Sequence, residues 1–293
     1  MKKPKINIEE SIYSRLKNVA RERKRPVQEV LKYYAMERFL YRLSISSHQG
    51  SFYLKGGLML MVWDPMSHRA TVDIDLLAKT SNSIANLQKI INEVCSVEAV
   101  PDGMRFAPDS LKLTEAQLEA EYHGISAVFS AQLFTAELPM QIDFGFSDTI
   151  LPHPAKVKYP TLLDFPAPEL RGYTPQTSIA EKFESIIRLG FANTRMKDFY
   201  DIWLLIQQFD FDRKELQEII QQVMENRGTT LEASPSAFLE SFYGNSIKKD
   251  KWNAFLKDIS HEPISLEKVI FDLKSFFAEI FSKEIPESLK ISQ

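Results

Sequence analysis

The sequence predicts an α+β protein in three parts: an N-terminal helical hairpin, a strand-bearing core with flanking helices, and a C-terminal helical domain. Three observations predict it. Apolar residues recur at helical spacing near both ends, apolar and acidic residues alternate in short runs between them, and prolines crowd residues 152–175. The expected divisions are 1–46, 47–175 and 176–293.

In the first part, Ile12, Leu16 and Val19 repeat at helical spacing, and Pro26 suits the start of a second helix bearing Val30, Leu31, Tyr34, Phe39 and Leu40. Residues 1–42 hold twelve lysines and arginines against five glutamates, an excess that could meet a polyanion. Tyr33, Tyr34, Phe39, Leu40 and Tyr41 make the second helix too apolar for a groove reader, so packing on the core is favoured.

The core begins with strand-like Phe52-Tyr-Leu, a Lys55-Gly56-Gly57 turn, and an apolar run from Leu58 to Trp63 that fits a helix. Val72-Asp-Ile-Asp-Leu and Met140-Gln-Ile-Asp-Phe-Gly-Phe alternate as strands with one buried face. Residues 84–94 look helical, and 97–138 look like further strands and loops whose order is open. Pro152, Pro154, Pro160, Pro166, Pro168 and Pro175 break any helix and suggest an extended crossing segment. Helical periods follow at 178–189, 197–209 and 214–224, around Trp252, and at 266–281.

The chain has 293 residues, 44% of them hydrophobic, enough for a substantial core. No apolar run reaches the roughly 18 residues a bilayer span needs, and the N-terminus is charged, so a cytoplasmic protein without membrane attachment is expected. The net charge of -3 gives no overall nucleic-acid signature. Cys95 is the single cysteine, with no partner for a disulfide or a zinc site. The five histidines have no pair at metal-ligand spacing, and only His68 stands near the acidic strand.

Strand alternation puts Asp73 and Asp75 on one face, with Val72, Ile74 and Leu76 on the other; Asp143 repeats the arrangement between Ile142 and Phe144. Adjacent carboxylates repel, and a divalent cation relieves that cost; hard oxygen ligands suit Mg²⁺ or Mn²⁺. A bare D-x-D is more often a pair of solvated acids on an edge strand. Here it follows a Gly56-Gly57 turn between strand and helix, where close backbone approach and free N–H groups favour phosphate.

In the helical part, Ile179, Phe183, Ile186 and Ile187 form an apolar stripe, and Lys182 flanks it closely enough to be directed inward. Asp198 and Asp201 lie three apart on an otherwise apolar helix and need partners. Lys182, Arg188 and Arg195 are available, so a structural ion-pair network and a phosphate-contacting lysine are both open readings.

The order of Gly-Gly turn, D-x-D strand and isolated strand acid resembles the polymerase-beta-like nucleotidyltransferase superfamily, which implies a nucleotidyltransferase-fold mixed sheet with flanking helices. More closely, Lys55-Gly-Gly, Arg69-Ala-Thr-Val-Asp-Ile-Asp, Ile142-Asp-Phe-Gly-Phe-Ser-Asp148, Ile179-Ala-Glu-Lys182 and Arg195-Met-Lys-Asp198-Phe-Tyr-Asp201 look like the AbiEii/AbiGii toxin family of nucleotidyltransferases. The likeness runs from about residue 10 to about 207. It implies the toxin of a toxin–antitoxin or abortive-infection pair with a separately encoded antitoxin. It also implies a metal-dependent enzyme using a nucleoside triphosphate and Mg²⁺, with an RNA acceptor, in some members the tRNA 3′ end.

Carried over, the resemblance makes Asp73, Asp75, Lys182 and Asp198 catalytic, and makes Asp73, Asp75 and Asp143 metal ligands. Gly56 and Gly57 would hold phosphate with Lys55, Arg69, Thr71 and Lys182, and Asp201 would join Asp198 in the last motif. Leu58 departs from the superfamily pattern, which has Ser or Thr after the glycines, so phosphate binding would rest on backbone amides and these cations. The rival readings are a transferase acting on a protein hydroxyl, a nucleotide- or partner-binding module without activity, and a DNA-binding regulator using the basic hairpin.

Overall fold

The computed structural model describes residues 7–64, 71–119, 122–146, 154–232, 235–259 and 263–281. They fall into two compact units, the first ending at Gly172 and the second beginning at Tyr173.

The first unit opens with α1 (Ile8–Glu22), α2 (Val27–Ile45), β1 (Phe52–Lys55) and α3 (Gly57–Trp63). It continues with β2 (Ile74–Ala78), α4 (Ile84–Cys95), β3 (Met104–Glu119), β4 (Tyr122–Leu133) and β5 (Ala136–Phe146). It closes with β6 (Ala155–Lys158) and β7 (Glu169–Gly172). The strands form one seven-stranded mixed sheet in the order β3-β4-β5-β2-β1-β7-β6, with β2–β5 and β1–β7 parallel and the other pairs antiparallel.

One expectation changes in this unit, and one is filled in. The D-x-D strand begins at Ile74, not Val72, and Val72 is 57% exposed instead of facing the core. Pairing stops there on both sides: β1 ends at Lys55, opposite Asp75, and the ladder with β5 begins at Ile74, beside Ile142. Residues 97–138, whose order was open, contribute β3, β4 and the start of β5, an antiparallel meander.

α1 buries a single stripe of Ile12, Leu16 and Ala20 against α2. α2 is buried almost all round because it packs on α1, α4, β5 and β7 together. Each large apolar side chain so buried contributes about 1.5–3 kcal/mol. The burial also takes in charge. Arg42 forks onto both carboxylate oxygens of Asp102 at 2.7 and 3.0 Å, and Arg38 pairs with Glu37 at 2.7 Å while its guanidinium lies 5.1 Å from the centre of the Tyr41 ring. Arg25 pairs with Glu29 and Arg105 with Glu9. Three of the N-terminal cations, Arg25, Arg38 and Arg42, are therefore engaged within the fold, and α2 acts as a core helix.

The second unit is helical: α5 (Pro175–Leu189), α6 (Met196–Gln208), α7 (Arg213–Asn226), α8 (Glu240–Tyr243), α9 (Ser246–Asp258) and α10 (Leu266–Ile280). Thr174 caps α5 by accepting from the Thr177 N–H, and Pro175 occupies its first turn. Pro175 thus starts a helix instead of ending the extended segment, because an N–H at that position has no intrahelical partner to lose. α5 packs on α6 and α7, and its Phe183 ring lies tilted against Phe277 of α10 with centroids 3.9 Å apart. Among the described residues, no helix is long and apolar enough to cross a membrane.

Candidate active site

One carboxylate oxygen from each of Asp73, Asp75 and Asp143 can be chosen so that all three lie within 4.8 Å of one another, and each residue is half-buried. The sheet imposes this closeness. Asp75 and Asp143 are register partners on parallel β2 and β5, while Asp73 sits in the bend just before β2. Ligand oxygens about a Mg²⁺ ion at roughly 2.1 Å stand some 3 to 4 Å apart, so these three fit one hard cation after small side-chain rotations.

Four neighbours shape the cluster. Gly56 has φ +67°, and a Cβ placed on it would lie 1.8 Å from Asp75 Oδ2. Only glycine leaves that carboxylate its position. The Thr71 hydroxyl donates to Asp73 Oδ1 at 2.8 Å, and the Thr71 N–H donates to the Tyr33 hydroxyl at 2.9 Å, tying the bend to α2. Gln141, two residues from Asp143 and on the same face, donates its amide to both Asp143 oxygens at 3.2 and 3.0 Å. Lys55 stands opposite Asp75 in register, and its ammonium reaches β5, where a Cβ on Gly145 would be 3.9 Å away.

Lys32, on α2, also belongs to this surrounding. Burial pushes its ammonium below the ordinary lysine range, while the negative charge of Asp73 acts against that shift. Sequence reasoning missed Lys32, Tyr33 and Gln141. Gln141 alone left a signal, since it stands two residues before Asp143 on an alternating strand.

The other expected positions sort as follows. Gly57 opens α3 and is buried, and Leu58 is fully buried in the core. The position where the wider superfamily carries a hydroxyl therefore holds a packing side chain. Arg69, with His68 and Asp148, lies outside the described residues.

In the second unit, Lys182 on α5 pairs with Asp198 at 3.0 Å and Asp201 at 2.8 Å, both on α6, and Arg195 pairs with Asp198 at 2.6 Å. Both aspartates are almost completely buried. Burial alone would raise the Asp198 carboxyl, but the charges of Lys182 and Arg195 outweigh it and hold the group at about 2. Arg188 goes elsewhere. Its partner is the buried Glu184 one turn earlier, which also takes Arg227 and the Thr229 hydroxyl.

A carboxylate cluster at the head of parallel strands, cradled by a glycine turn, defines a candidate metal centre on a mixed sheet. The same fold occurs in JHP933 of Helicobacter pylori, which is 15% identical with a TM-score of 0.50, the alignment covering 87% of this chain and 93% of that one. A candidate nucleotidyltransferase from H. pylori is 12% identical with a TM-score of 0.46, covering 90% and 99%. Comparison with curated protein sequences gives no significant match. The family profile for the nucleotidyl transferase AbiEii toxin of Type IV toxin–antitoxin systems matches residues 38–276, and the chain belongs to that family.

Proposed function

We propose that this chain is the toxin of a toxin–antitoxin pair and transfers a nucleotide from a nucleoside triphosphate to an RNA acceptor, with tRNA 3′ ends the first acceptor to test. Membership in the AbiEii family supports the transferase and toxin parts of this reading. The observation that carries the chemistry is the set of Asp73, Asp75 and Asp143 carboxylates within 4.8 Å of one another beside the Gly56 turn.

In this reading Asp73, Asp75 and Asp143 hold Mg²⁺ or Mn²⁺, which when bound neutralises charge on the triphosphate and on the leaving pyrophosphate. The acceptor hydroxyl forms a bond to the α-phosphorus as the bond to pyrophosphate breaks, and a carboxylate of the cluster takes the hydroxyl proton. Thr71 acts through Asp73, since its hydroxyl is donated there. Lys55 and the Gly56-Gly57 turn meet phosphate, with Arg69 assigned the same task by the family resemblance. Lys182, paired with Asp198 and Asp201, is assigned to the triphosphate by the family resemblance alone.

The test is transfer of an α-phosphate label from each nucleoside triphosphate into total RNA with Mg²⁺, followed by separate nuclease and protease digestion. Label released by nuclease and lost in Asp73→Asn is expected. Label released by protease would move the acceptor to a protein hydroxyl, and no label with any nucleotide would leave a binding module. Toxicity on expression, relieved by a neighbouring antitoxin gene, tests the biological setting.

A further inference from the structure

The face of the sheet that carries the carboxylates continues into a cationic groove. Register partners share a face. Lys55 is opposite Asp75, and Asp75 is beside Asp143; two residues back along β1, Tyr53 is beside Arg171, which is opposite Lys156. Lys158 follows, opposite Glu169. Burial agrees with this reading: Val157 and Leu170 turn to the core, whereas Lys156, Lys158, Glu169 and Arg171 are exposed. The sheet thus fixes the direction of the three cations.

Lys156, Lys158, Glu169 and Arg171, with Gln49, line a groove of about 470 Å³ on β6 and β7, beside Tyr53 in register. The Gln49 amide donates to the Glu169 carbonyl at 2.9 Å and anchors the wall to β7. With strands about 4.8 Å apart and residues rising about 3.3 Å, Arg171 stands roughly 12 Å from Asp75, a distance an oligonucleotide spans. Tyr53, half-buried between Lys55 and Arg171, offers an aromatic ring beside the phosphate-binding charges. A single ring beside the cations suits single-stranded nucleic acid better than an acidic peptide, because a base can stack on it.

We propose that this groove holds the phosphodiester backbone of the RNA acceptor, with Lys156 and Arg171 as its principal phosphate contacts. The inference rests on the RNA-acceptor reading of the active site. Its test is direct binding of a labelled single-stranded RNA by fluorescence anisotropy, which needs no turnover.

Lys156→Gln with Arg171→Gln is expected to weaken binding about tenfold near 0.15 M salt and to flatten the log-affinity against log-salt slope by about 1.4. Lys156→Arg with Arg171→Lys keeps the charge and is expected to keep the affinity, which separates loss of contact from loss of fold. Lys214→Gln with Lys251→Gln, two exposed charges of the second unit, is expected to change nothing. Unchanged affinity and slope in the first variant, an equal loss in the control pair, or no RNA binding by the native chain would overturn the groove. Displacement of RNA by polyglutamate at the same charge concentration would do so too. RNA binding that depends on the groove without label transfer into RNA would sink the acceptor reading and leave the groove standing.

Discussion

Gly56 leaves open the space that the Asp75 carboxylate fills: a Cβ on the glycine would lie 1.8 Å from the carboxylate oxygen, well inside contact distance. The glycine therefore gives Asp75 its place, in addition to any approach by phosphate. Its φ of +67° with ψ of -149° is a conformation essentially confined to glycine and costs other residues about 1–3 kcal/mol. Gly56→Ala is expected to displace Asp75 and lower kcat/KM for transfer about 100-fold or more, since a 1 Å error at a reacting centre costs that much. Steady-state kinetics beside Mn²⁺ binding by electron paramagnetic resonance checks it. Native-like metal affinity and rate would contradict the cradle.

The chain Tyr33, Thr71, Asp73 links the core helix α2 to the bend before β2. Thr71→Val should weaken Mn²⁺ binding about tenfold, while Thr71→Ser should restore it, because only the hydroxyl donates to Asp73. Tyr33→Phe leaves a buried N–H without its acceptor and should cost about 1–3 kcal/mol of stability. Equal metal affinity in the Val and Ser variants would show that the hydroxyl positions nothing.

Asp198 is held at about 2, below its ordinary 3.8. The unfolded chain then binds more protons than the folded one between these values. The resulting stabilisation, on the order of 2 kcal/mol, is present above pH 4 and lost as the pH falls toward 2. Asp198→Asn should flatten that acid limb of thermal stability. Lys182→Met, which removes a cation from between two buried aspartates, should cost about 3–5 kcal/mol. Lys182→Arg separates roles: a purely structural lysine predicts an unchanged KM for nucleoside triphosphate, and the proposed phosphate contact predicts a raised one.

Glu37 behaves in the opposite way. Burial pushes its carboxyl up, against the attraction of Arg38 and the Leu162 N–H, to about 7. The folded state then binds more protons than the unfolded one between pH 4.5 and 7, so stability should fall as the pH rises through this window. Glu37→Gln should remove that slope, as a series of melting temperatures from pH 5 to 8 would read. A native slope in the variant would place the titration on another group.

The helices and the strands of the core were legible because periods of 3.6 and 2 follow directly from which face is buried. The same period misplaced Val72, since alternation continues in sequence beyond the point where a partner strand stops. Residues 97–138 gave no order because β3 shifts register between Ala107 and Lys112, where Pro108 and Asp109 break the alternation. Asp75 and Asp143 were legible as acids on strands, but not their alignment, which depends on β2 lying parallel to β5. Lys182 with Asp198 and Asp201 followed from two acids on an apolar helix. Arg188 pairs with Glu184, one turn earlier on its own helix, which the spacing of acids on α6 does not signal. Lys32 and Tyr33 approach the cluster only through the packing of α2, which no local pattern encodes.

The most direct test of the central claim is pyrophosphate release coupled to label transfer, measured for the native chain and Asp75→Asn with Mg²⁺ or with a chelator. The account predicts transfer that requires the divalent ion and falls at least a thousandfold in the variant, with unchanged melting temperature. Transfer that persists in the chelator, or in a folded Asp75→Asn protein, would contradict it.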